Sequence, residues 1–159
     1  MKRWIWILMG GALMVGHTPA KAQDYVRDIE SAYRRSQVDS ALGFAKAFVA
    51  AHPDSVDAHG FLGTLYAESG HLDDAIASFL KILTLKPETV KGYRDLALLY
   101  AENGKVDLAV QTLNKGLEKS AQPVILRLER AALLRDTGDI QGALADFEQV
   151  IQDEPQLLD

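Results

Sequence analysis

Residues 56–89 read VDAHGFLGTLYAESGHLDDAIASFLKILTLKPET, and this stretch decides the fold. Its apolar residues recur at intervals of three and four, the spacing of a helix rather than a strand. His59, Leu62 and Tyr66 form one stripe, and Ile76, Phe79, Ile82 and Leu83 form another. Between them Gly70 offers the left-handed conformation a chain needs to leave a helix. Pro87 ends the second stripe, because it lacks an amide donor and clashes with the preceding turn. The stretch therefore predicts two antiparallel helices joined by a tight turn.

The same pattern recurs on both sides with a period of 34 residues. Ala41, Ala75, Ala109 and Ala143 keep that spacing, as do Gly70, Gly104 and Gly138, and Val38, Leu72, Val106 and Ile140. Tyr66 and Tyr100 are one period apart. Pro53 and Pro87 are also one period apart, and Pro155 and Phe147 fall two periods beyond Pro87 and Phe79. The recurrent alanine is small where two helix backbones must approach closely. A fixed period of this length is the mark of a stacked helical array.

Leu62-Gly63, Tyr66, Gly70, Ala75, Phe79 and Pro87 resemble the tetratricopeptide repeat signature in its usual spacing. Tyr93, Leu96-Ala97, Tyr100, Gly104 and Ala109 carry the likeness into a third unit, and Ala131, Gly138, Ala143, Phe147 and Pro155 into a fourth. The units expected are 23–55, 56–89, 90–123 and 124–157. The resemblance implies an all-α, right-handed α-α superhelix of about four helix pairs, a tetratricopeptide solenoid with a concave groove.

The units are unequal. In the first, the stripe Val26, Ile29, Tyr33 lies one residue late relative to Ala41, which predicts a turn one residue shorter, and Ser36 stands where the other units have glycine. Gly116 lies inside a predicted helix, at about 1 kcal/mol relative to alanine. Arg127 and Arg130 occupy places that are usually large and apolar, and Ala121 stands where proline is expected, with Pro123 two residues on. These departures predict a weak junction between the third and fourth units. At the C-terminal end no further helix is expected over the last pair, leaving an apolar strip that Leu157 and Leu158, a partner or a second copy would cover.

Residues 1–22 have a different character. Lys2 and Arg3 precede an uncharged, mostly apolar run of 13 residues from Trp4 to Gly16, followed by Pro19 and the small-x-small ending Ala20-Lys21-Ala22. This is the layout of a secretory signal peptide with cleavage between Ala22 and Gln23, which predicts a periplasmic or secreted protein. The membrane enters only if the segment is kept as an anchor, and 13 helical residues span roughly 20 Å, short of the ~30 Å hydrocarbon core. Beyond the segment 14 basic and 22 acidic residues remain, about −8 overall. That balance argues against nucleic acid, which attracts clustered basic residues.

No catalytic arrangement is visible. The chain has no cysteine, which removes disulfides and thiolate chemistry. It lacks a phosphate loop, a dinucleotide turn and a nucleophile elbow. His52, His59 and His71 lack the i, i+4 spacing of a zinc pair, and Asp73-Asp74 fall in a first helical turn, where negative charge offsets the dipole. A non-enzymatic protein without cofactor or metal is expected.

The resemblance implies that the first helix of each pair lines the groove and that partners are peptide segments or proteins. The groove residues are then Thr64, Ala67 and Glu68; Lys91, Arg94, Leu98 and Ala101; and Leu128, Ala132 and Arg135. Leu98 and Leu128 beside Lys91 and Arg94 predict a peptide bearing an acidic or C-terminal carboxylate group. The asparagine-rich carboxylate clamp known in the family is absent from these positions. Two functions follow: a periplasmic adaptor that binds peptide in the groove, or a structural subunit of an envelope or secretion assembly that associates, with itself or others, through the C-terminal repeat.

Overall fold

The computed structural model describes residues 21–121 and 123–158; the predicted signal segment lies almost wholly outside them. Among these residues eight helices follow one another: α1 Ala22–Arg34, α2 Val38–Ala51, α3 Val56–Glu68, α4 Leu72–Leu85, α5 Val90–Glu102, α6 Val106–Lys119, α7 Val124–Asp136 and α8 Ile140–Asp153, then a short 3-10 turn, Pro155–Leu158. The predicted cleavage site falls in the first turn of α1. Each odd helix pairs with the even one after it, and each pair packs on the next.

Helix ends follow from local chemistry. The Ser55 hydroxyl accepts from the amide of Ala58 at 3.2 Å, and the Asp139 carboxylate from that of Gly142 at 2.9 Å, satisfying donors at two helix starts. Gly70, Gly104 and Gly138 take φ of 76°, 70° and 90° where the chain leaves α3, α5 and α7. Ser36 takes the same left-handed place after α1, at φ 58°. The first turn is thus as long as the others, with Arg35 to Gln37 matching Ser69 to His71. The expected shortening is wrong: α1 buries Ile29 and Ala32 rather than Tyr33, which is 48% exposed.

The core runs as three linked clusters along the stack. Ile29, Ala45 and Phe48 meet Ala58, Leu62 and Leu65 of the next pair; Phe79 and Ile82 meet Leu96 and Leu99; Tyr93 and Leu113 meet Leu126. Where α3 presents Ala58, Leu62 and Leu65 to the pair before it, α1 carries Asp24, Asp28 and Ser31 at the matching places. The outer side of α1 is therefore polar. At the other end, Ile140, Leu144 and Ile151 on α8 are 56%, 48% and 41% exposed, whereas the matching Leu72, Ile76 and Leu83 are packed between pairs. The Pro155–Leu158 turn packs on α8; the side chains of Leu157 and Leu158 lie outside the described residues.

The departures predicted to weaken the last junction have specific partners. Gly116 is a site of close approach: a Cβ there would stand 2.7 Å from Leu126 Cδ1 and 2.8 Å from Tyr93 Cγ. Arg130 donates from Nε and Nη2 to the Asp146 carboxylate at 2.8 and 2.6 Å, and from Nη1 to Asn114 on the preceding pair. Asp146 is 4% exposed. The Asp146 hydrogen bonds raise the Arg130 pKa above its ordinary value, against the lowering effect of burial. Arg127 lies 4.0 Å from Asp146 and 3.8 Å from Asp153. An ionic cluster thus stands where the second and third units place Leu62 and Leu96 beside Ser78 and Thr112, and it reaches across the junction.

Candidate functional site

Two adjoining hollows lie along α1, α3 and α5. The first, of about 360 Å3, is lined by Ile29, Val56, Phe61, Leu65 and Ile82. The second lies between α3 and α5 over Phe79, Leu98 and Leu99. Both share Thr64, Glu68 and Lys91. The Tyr33 hydroxyl donates to Glu68 Oε1 at 2.9 Å and so ties α1 to α3 at the edge. This bond to a carboxylate, followed by its charge and by slight desolvation, holds the Tyr33 phenol above its ordinary pKa.

Of the residues predicted to form a groove, Thr64, Ala67, Glu68, Lys91 and Leu98 come together here. Arg94, Ala101, Leu128, Ala132 and Arg135 do not line either hollow, although Leu98 and Leu128 are exposed. Arg135 is bonded to Asp136 at 2.8 and 2.9 Å.

Lys91 and Arg94 both donate to the carboxylate of Asp95, the second at 3.2 and 3.3 Å. Carboxylates instead dominate the rim: Glu30, Asp57, Glu68, Asp95 and Glu102 stand against Lys91. The sequence reading missed the α1 contribution because it treated the first unit as degenerate. Lys91 and Asp95 are i, i+4 on one helix, a spacing from which their pairing was readable.

His52 and His59 are packed against neighbouring groups. His59 is buried and its Nε2 is 2.9 Å from the Pro53 carbonyl, while His52 meets the rings of Phe48 and Tyr25 edge-on. Among the described residues no three His, Asp or Glu side chains group so as to hold a metal, and no helix is long and apolar enough to cross a membrane.

The sequence pattern of the tetratricopeptide repeat family matches residues 29–90 and 94–156. The chain belongs to the tetratricopeptide repeat family. Solved structures share its fold: MamA aligns over 89% of this chain and 82% of its own with a TM-score of 0.71 and 17% identity. TTC0263, a thermophilic tetratricopeptide protein of Thermus thermophilus, aligns over 89% and 78% with 0.70 and 20% identity. YrrB, described as a tetratricopeptide protein with an unusual peptide-binding site, aligns over 85% and 70% with 0.62 and 19% identity. No curated protein matches the sequence. The four pairs form the right-handed tetratricopeptide superhelix, the fold of a protein-interaction scaffold.

Proposed function

We propose that this chain is an exported, non-catalytic tetratricopeptide adaptor of the periplasm that holds a protein or peptide partner in its concave groove. The observation that carries the reading is the apolar-lined hollow between α1, α3 and α5 (Ile29, Val56, Phe61 and Leu65), with charged side chains among its lining residues. Such an arrangement supplies apolar contact in the centre and orientation at the edge. The peptide-binding site of YrrB, on the same fold, supports it. Export rests on the basic, apolar and small-residue order of residues 1–22.

A second reading is favoured by a specific observation: the exposed stripe Ile140, Leu144 and Ile151 suits a subunit that joins an assembly through α8. Photocrosslinking separates the two. A photoreactive residue in place of Leu98 samples the groove, and one in place of Ile151 samples the end. In cells fractionated for periplasm, protein crosslinks from position 98 support the adaptor. Crosslinks only from position 151 support the assembly subunit, and a protein retained in the cytoplasm overturns the exported reading.

A further inference from the structure

Because the four units share one frame, side chains at one groove place can be compared directly. Val26, Gly60, Arg94 and Leu128 are each 34 residues apart. Three units fill that place with a large side chain and the second leaves it empty. The 360 Å3 hollow lies over Gly60, and a Cβ built there would meet only Ile82 Cδ1 within 4 Å, at 3.9 Å. No neighbour presses on the missing side chain, in contrast to Gly63, whose Cβ would stand 3.0 Å from Phe79. Close packing therefore requires Gly63 and does not require Gly60, although glycine weakens a helix interior. What the absence of a side chain at Gly60 creates is space.

We infer that this space is a socket for one bulky apolar side chain of a peptide that carries lysine or arginine on either side. This rests on the groove reading above and names its ligand class. Ile29, Val56, Phe61, Leu65 and Ile82 give the socket an apolar wall, while Glu30, Asp57 and Glu68 stand at its edge. Lys91, the cation among the lining residues, is engaged by Asp95. Opposite charge at the edge orients and speeds association, and the buried apolar anchor supplies affinity.

The test uses the purified full chain and labelled peptides of a dozen residues, followed by fluorescence anisotropy. One peptide carries a central phenylalanine between lysines, a second replaces the phenylalanine with alanine, and a third replaces the lysines with glutamate. The lysine–phenylalanine peptide should bind saturably and more weakly as salt rises. Both altered peptides should bind at least about tenfold more weakly. Gly60→Leu fills the socket with the protein's own side chain and should weaken binding by about tenfold or more, with melting temperature unchanged or raised. Folded Gly60→Leu protein that binds undiminished overturns the socket. So does equal or tighter binding of the glutamate peptide, of free N-acetylphenylalaninamide, or of none of the three peptides. If groove crosslinks from position 98 persist under such a result, only the socket falls; if they too are missing, the groove reading falls with it.

Discussion

The second and fourth helix pairs are built on the same 34-residue frame and use it in opposite ways. In the second, Leu62 packs on the preceding pair and Ser78 turns its hydroxyl back to the Asp74 carbonyl at 2.8 Å. The matching residues of the fourth are Arg130 and Asp146, joined by two hydrogen bonds. The second pair has Gly60 and a hollow at its groove face; the fourth has Leu128. The frame fixes where helices run, and it leaves open whether a given place is filled by an apolar side chain, an ion pair or nothing.

The largest effect should come from breaking the ionic cluster. Asp146→Ala leaves Arg130 and Arg127 partly buried without their shared carboxylate and should cost about 3 kcal/mol of unfolding free energy, read from urea denaturation. Arg130→Leu combined with Asp146→Ser makes the fourth pair resemble the second and should recover most of that loss. If the double variant is as unstable as Asp146→Ala, the two pairs are not interchangeable at this place.

Two glycines sharpen the contrast at lower cost. Gly116→Ala inserts a methyl against Leu126 and Tyr93, and despite the gain in helix propensity should destabilise by about 1–2 kcal/mol. Gly60→Ala meets only ordinary contact and should stabilise by up to about 1 kcal/mol. Opposite signs in thermal melts of the two variants would separate a glycine kept for close packing from one kept for space.

The smallest effect concerns the bond that ties α1 to α3. Tyr33 should titrate above its usual value, and Glu68→Gln should move it back down, as followed by phenolate absorbance. Because its folded-state pKa is raised, what this bond contributes is complete below the ordinary tyrosine value near 10 and is lost as pH climbs through the raised one.

The period was enough to read the helices and the turns after the first pair, because it records packing that every unit must repeat. It failed where a residue answers to one neighbour only. The stripe Val26, Ile29, Tyr33 was right at Ile29 and wrong at Tyr33, since the buried face of α1 takes Ala32 in its place. Lys91 and Arg94 were read without Asp95, whose carboxylate accepts from both. The hollow was hidden because its cause is an absent side chain, visible only when Gly60 is set beside Val26, Arg94 and Leu128.

The polar outer side of α1 bears on polymerisation. Stacking one copy end to end on another would press Asp24 and Asp28 against Ile140, Leu144 and Ile151, a mismatch of carboxylate with hydrocarbon. Open-ended fibres grow only from two different surfaces that fit one another. These two do not fit, so α8 of one copy does not continue into α1 of the next.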